Sequence, residues 1–149
     1  MALERVYALC GTSNAGKTSC LNALIEILTK KAEKTIPIKD ADEDEDDRIA
    51  IFLINGKYVG VSTQGDVVKQ VQDNLNAIES AIESQCNIIF CATRTRGGKC
   101  THVIDRFGEK LTWIECMGIY NHKAYAFDNS AFIKAKTESL ANLMFSLVG

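Results

Sequence analysis

Gly11-Thr12-Ser13-Asn14-Ala15-Gly16-Lys17-Thr18 stands directly after the apolar run Val6-Tyr7-Ala8-Leu9-Cys10 and directly before a helical pattern. The order is strand, loop, helix, and the loop carries G-x-x-x-x-G-K-[ST] at every fixed position. Each residue type has a physical reason to be there if the loop receives a polyphosphate. Gly11 and Gly16 lack a Cβ, so the backbone can take positive φ and approach an anion closely. Successive backbone N–H groups can then converge into an anion-binding concavity. Lys17 brings a point charge to terminal phosphates, and the helix that opens there adds its positive end. Thr18 presents a hydroxyl to a magnesium ion.

These eight residues, continued by Ser19, resemble the Walker A motif of the P-loop NTPase superfamily. The resemblance implies a nucleoside triphosphate with Mg2+ as ligand. Gly11, Thr12, Ser13, Asn14, Ala15, Gly16, Lys17, Thr18 and Ser19 would hold it, with Lys17 also acting on the terminal phosphates and Thr18 on the metal. The competing reading is a glycine-rich turn with an exposed lysine.

At 149 residues the chain is read as a single nucleotide-binding domain, 1–149, long enough to bury its own core. A net charge of −2 gives no global field that favours nucleic acid or an anionic membrane. No apolar run reaches the roughly 20 residues that a membrane span needs, and Met1-Ala2-Leu3-Glu4-Arg5 lacks the order of a secretory signal. The expected location is the cytoplasm. Six cysteines, Cys10, Cys20, Cys86, Cys91, Cys100 and Cys116, form no C-x-x-C pair and mostly lie in apolar segments, as small buried hydrophobes do. A zinc set of Cys86, Cys91, Cys100 and His102 matches none of the usual ligand spacings.

Leu21, Leu24, Ile25, Leu28 and Ala32 recur at helical spacing, so the first helix is expected from about Lys17 to about Lys34, with Pro37 marking a break. Asp40-Ala41-Asp42-Glu43-Asp44-Glu45-Asp46-Asp47 holds seven acids in eight residues and reads as a solvated loop. A calcium loop fails at Glu45 and Ile51, where glycine and glutamate are required. Because the tract follows the first helix, its carboxylates are candidates to hold magnesium or to orient an acceptor, and a third reading is that the tract repels a wrong anionic partner. Ile49–Ile54 and Lys57–Val61, joined by Asn55-Gly56, read as a hairpin with a type I′ turn. Ser62-Thr63-Gln64-Gly65-Asp66 leads into a helix with Val71, Leu75, Ile78 and Ile82 on one face.

Phosphate loop, helix, variable loop, hairpin and polar turn together resemble the front half of Ras-like GTPases. In that family a D-x-x-G turn follows the hairpin, and its glycine N–H meets the γ-phosphate. Gly65 matches the glycine, whereas Ser62 stands where the metal-linked aspartate would be. The N-K-x-D guanine signature does not occur, so ATP is the expected nucleotide and GTP stays open. Gln64 and Asp66 are then candidates to orient or deprotonate an attacking water.

Asn87–Ala92 is a continuous apolar run, as expected of a strand buried on both faces. It leads into Thr93-Arg94-Thr95-Arg96-Gly97-Gly98-Lys99, where Arg94 and Arg96 are placed to reach phosphate. Leu111–Met117 reads as a further strand. Asp66, Asp105 and Glu115 compete as the acid that supports magnesium, with Asp66 preferred for its adjacency to Gly65. A last helix is expected from Asp128-Asn129-Ser130, with Phe132, Ala135, Leu140, Leu143, Met144 and Leu147 packed on the sheet. Tyr120, His122 and Tyr125 are read as packing residues rather than a base-stacking set.

The layout predicts a three-layer α/β P-loop fold, mostly parallel with one antiparallel strand from the hairpin. Three functions fit it. The first is Mg-dependent hydrolysis of a nucleoside triphosphate, with or without a switch. The second is phosphotransfer to a small molecule or nucleotide under an Arg94/Arg96 lid. The third is a nucleotide-binding module whose output is a protein contact. The pattern accommodates a protein partner or an oligomer, and indicates neither membrane nor nucleic acid.

Overall fold

The computed structural model of the protein describes residues 3–11, 15–39, 47–63, 68–81, 86–93, 107–119, 121 and 127–149. β1 (Arg5–Cys10) leads through the 11–16 segment into α1 (Lys17–Lys31). β2 (Lys34–Lys39), β3 (Ile49–Ile54), β4 (Lys57–Ser62), α2 (Val68–Ala81) and β5 (Ile88–Thr93) follow. A 3-10 turn (Gly108–Lys110) then enters β6 (Leu111–Glu115), and the chain closes with α3 (Ser130–Ser146).

The strands form one mixed sheet in the order β2-β3-β4-β5-β1-β6. β1 runs parallel to β5 and β6, and β4 parallel to β5. β3 pairs antiparallel with both β2 and β4, so among the described strands it alone opposes the rest. The class is α/β, with helices on both faces. Leu9, Val61, Phe90 and Ala92 pack one face against Leu21, Leu24 and Leu28 of α1 and Ala141 and Met144 of α3. Val6, Ala8, Ile51, Ile89 and Cys91 pack the other against Leu75 and Ile78 of α2. β5 lies between β4 and β1 and is buried at every position, which explains its unbroken apolar sequence.

The hairpin turn has positive φ at both central residues, 50° at Asn55 and 79° at Gly56, as its Asn-Gly sequence requires. Two expectations need correction. The first helix stops at Lys31 rather than near Lys34, and residues 34–39 form a strand. Ala32 turns extended after capping Leu28 O, and Glu33 N then donates to Leu53 O at 2.8 Å, so β3 captures the chain.

The buried face of α3 is also displaced. Phe132 and Leu143 are 59% and 50% exposed and Ala135 is exposed, while Ala141, Met144 and Val148 are buried. The helix packs chiefly on α1, and only its C-terminal half reaches the core that α1 and the sheet share. Asp128, rather than Asn129, receives the Ser130 N–H at its start, and the Ser130 hydroxyl and then that N–H hold the Asp128 carboxyl below its usual range. No helix among the described residues is long and apolar enough to cross a membrane.

Gly60 shows how closely α2 approaches β4. A Cβ there would lie 2.7 Å from Ile78 Cγ2 and 3.3 Å from Cys86 Sγ. Gly60→Ala is expected to cost about 1–3 kcal/mol through overpacking, read as a lower urea midpoint with an unchanged denaturant slope.

Candidate functional site at the strand carboxyl ends

The carboxyl ends of β1, β5 and β4 lie side by side in the sheet, and the first turn of α1 is bonded to all three. Lys17 is only 5% exposed. Its Nζ donates to Gly11 O at 3.0 Å, just past β1, and to Thr93 O at 2.8 Å, the last residue of β5. Thr18 Oγ1 donates to Thr63 O at 3.4 Å, just past β4. β5 separates β4 from β1, which puts those strands about 10 Å apart at the usual spacing. Adjacent residues of one helical turn thus span three strand ends.

The glycines carry the backbone through this turn. Gly16, the N-cap of α1, has φ +84°, which strains any residue with a side chain. Gly11 has φ +156°, and a Cβ there would meet Ala15 Cβ and Cys116 O, each at 3.0 Å.

A carboxylate approaches from the end of the acidic tract. Thr63, fully buried, donates from Oγ1 to Asp47 Oδ1 at 3.1 Å and accepts from Arg48 N at 2.8 Å. Thr63 N closes the pair by donating to Arg48 O at 3.1 Å. Thr63 therefore links Asp47 through its side chain and Thr18 through its carbonyl.

A second ammonium reaches the loop from α3. Lys136 Nζ donates to Ala15 O at 2.7 Å and to Met117 O at 2.9 Å, and lies 3.1 Å from where a Cβ on Gly16 would be. Ala15 O also accepts from Cys116 Sγ at 3.0 Å. With that carbonyl turned toward Lys136, the N–H of the same trans peptide, on Gly16, points the opposite way. Cys116 Sγ also lies 3.9 Å from Cys20 Sγ, so its single S–H is shared between that sulfur and Ala15 O. The bond from Cys116 and, after it, the nearby Lys136 charge and Thr137 hydroxyl outweigh burial and lower the Cys20 thiol to about 7. Cys116 is raised by the same shared proton and by burial.

Lys17, Lys136 and the N-terminus of α1 set three sources of positive potential around one loop, which is the electrostatics an anion requires. Comparison with protein-family models, curated protein sequences and solved structures finds no match to this chain. The chemistry of the site therefore rests on its own residues.

Of the residues singled out by sequence, Gly11, Ala15, Gly16, Lys17 and Thr18 meet here, and Ser19 is exposed on the first turn. Thr12, Ser13, Asn14, Gln64, Gly65, Asp66, Arg94 and Arg96 lie outside the described residues, as do Asp105, Cys100, His102, Tyr120, His122, Tyr125 and 40–46 of the acidic tract. Glu115 ends β6 as an exposed residue and lines a groove with Met117 and Lys136, on the far side of β1 from β4. Ser62 is fully buried, and among the described residues neither its Oγ nor Thr93 Oγ1 has a hydrogen-bond partner. Lys136 and Cys116 carry no sequence signal, since nothing in a helical pattern marks which lysine turns inward. Asp47 is legible in the sequence only as one acid of a tract.

Thr63→Val keeps the shape but leaves the Arg48 N–H without its Thr63 acceptor and removes one donor from Asp47. A loss of about 1–3 kcal/mol in urea unfolding is expected.

Proposed function

We propose that the chain binds a nucleoside triphosphate with Mg2+, ATP in the first instance, and hydrolyses it as a P-loop NTPase. The observation that carries this reading is Lys17. Its ammonium is buried at the N-terminus of α1 beside a left-handed glycine, bonded to the carbonyl just past β1 and to the one that ends β5. A buried cation beside the positive end of a helix is favoured when an anion completes the site. Exchanging the Gly11 and Thr93 carbonyls for terminal phosphate oxygens gives that ammonium the stronger, charge-assisted bonds.

The donor set suits Mg2+, which takes hard oxygen ligands and commonly combines one or two carboxylates with substrate phosphates. Thr18 would bind the ion and Asp47 would face it, and the orphaned hydroxyls of Ser62 and Thr93 add oxygens at the same strand ends. When bound, the ion would neutralise charge on the β- and γ-phosphates. The chain's own residues do the rest. Gly16 N–H and Lys17 hold the terminal phosphate. Lys136 fixes the Ala15–Gly16 peptide that aims that N–H. Gln64 and Asp66 follow Thr63 in sequence beyond β4 and are assigned the attacking water, with Gly65 N–H on the γ-phosphate. Arg94 and Arg96 follow directly on β5 and are assigned the developing charge.

Lys17→Ala is expected to weaken Mg-ATP binding by at least about 30-fold, equivalent to about 2 kcal/mol. Titration calorimetry reads it, and unchanged affinity would overturn the reading. Phosphate release from ATP and GTP, with and without small-molecule acceptors, separates hydrolysis from transfer.

A further inference from the structure

The outer side of α3 carries apolar residues that the core does not use. Lys136, Ser139, Leu140 and Leu143 follow one another at helical spacing and form a face of their own, beside the Ala141 and Met144 face that enters the core. With Glu115 and Met117 at the end of β6 they line a groove of about 340 Å³. Met117 is 64% and Leu143 50% exposed, while Leu140 is partly buried against the core. Large apolar side chains along a concave wall, with a few polar groups among them, are the composition of a small-molecule pocket. Such pockets span roughly 300–1,000 Å³, and this one has the small end of that range, which suits a nucleoside-sized group.

One side chain belongs both to this groove and to the phosphate loop. Lys136 lines the groove and donates to Met117 O, and it also donates to Ala15 O, the carbonyl of the peptide that carries the Gly16 N–H. The sheet fixes the direction in which the two sites adjoin. β6 flanks β1 on one side, and β5 and then β4 lie on the other. Thr63 and the Asp47 bonded to it stand just past β4, so the groove lies across the loop from the residues assigned to the metal side. A nucleotide with its terminal phosphates at Lys17 and its metal toward β4 has its sugar and base left to place, and the groove is on the side that remains.

We propose that this groove holds the adenosine end of the nucleotide, with adenine against Met117, Leu140 and Leu143 and the ribose at Lys136. The placement rests on the nucleotide reading for its phosphates, whereas the affinity of the groove for a purine nucleoside does not. A thioether packs favourably against an aromatic ring, and the ring covers apolar surface that is otherwise wet. An ammonium has three donors, and two of those on Lys136 meet carbonyls, which leaves one for a ribose hydroxyl. Ser139 can donate to the ring edge or accept from it. Guanine presents a carbonyl, a ring N–H and an amino group along the edge where adenine presents an amino group and a ring nitrogen. In a mainly apolar groove the extra polar group is the costlier one to leave unpaired, so the lining favours adenine.

The test titrates adenosine, Mg-tripolyphosphate, Mg-ATP and Mg-GTP separately into the full chain. Adenosine is expected to give ring-current shifts in the methyl NMR signals of Met117, Leu140 and Leu143. By calorimetry Mg-ATP should bind at least about tenfold more tightly than Mg-tripolyphosphate, and more tightly than Mg-GTP. Met117→Ser combined with Leu143→Ser changes two exposed positions. It should bring Mg-ATP to within about twofold of Mg-tripolyphosphate and leave Mg-tripolyphosphate as it was. Methyl signals unmoved by adenosine, ATP no tighter than tripolyphosphate, or a double variant that weakens both ligands alike or neither would overturn the groove as the nucleoside site. With tripolyphosphate still bound, those results leave the phosphate reading standing. Mg-GTP bound as tightly as Mg-ATP would overturn the choice of adenine. Shifts from adenosine with neither phosphate ligand bound would keep the groove and remove the nucleotide reading.

Discussion

An ammonium kept from water has to be met by oxygen, and meeting the one on Lys17 fixes much of the molecule. Two backbone carbonyls that accept from it belong to residues 76 and 6 positions away in sequence. They stay within reach only while β1 and β5 are in register, with Cys10 opposite Thr93. α1 must begin where it does, since a start one residue later would swing the side chain by about 100°. Gly16 must be left-handed to admit that start. Bonds to a charged group contribute about 1.5–3 kcal/mol each, so the strand ends and the helix start stabilise one another.

The rest of the chain makes that arrangement stiff. α1 is held between the sheet and α3, with Leu21, Leu24 and Leu28 fully buried. The start of α1 and the residue before its N-cap are held on two flanks by different means. On one, Thr63 joins Asp47 to the end of β4. On the other, Lys136 and Cys116 converge on a single carbonyl. The second ends on a backbone carbonyl and governs peptide orientation directly, whereas the first runs through the Thr18, Thr63 and Asp47 side chains.

Much of this is legible in the sequence where one local rule suffices. The glycine spacing, the Asn55-Gly56 turn and the apolar run of β5 each carry their own signal, and the elements stand where those signals are. β2 escapes because Lys34-Thr35-Ile36-Pro37-Ile38-Lys39 has a proline and no clean alternation, features that an edge position tolerates. The stripe of α3 misleads because periodicity marks a face but not how far along the helix its neighbour extends. Lys136 and Cys116 owe their roles to where α3 and β6 are packed, and Asp47 owes its role to the pairing of residues 48 and 63. Those contacts span 15 to 121 residues of sequence and leave no local trace.

The proline in β2 has a bearing on how the protein behaves in a crowd. Among the described strands β2 is one margin of the sheet, and an unpaired margin is a template on which another chain can add a strand. Pro37 and Lys34 are exposed there, and the register with β3 shifts between Pro37 and Lys39. A missing N–H, an exposed charge and an irregular backbone each interrupt a ladder that would otherwise extend. The residues that hide this strand from a reading of the sequence are thus the ones that guard that margin against fibrillar growth.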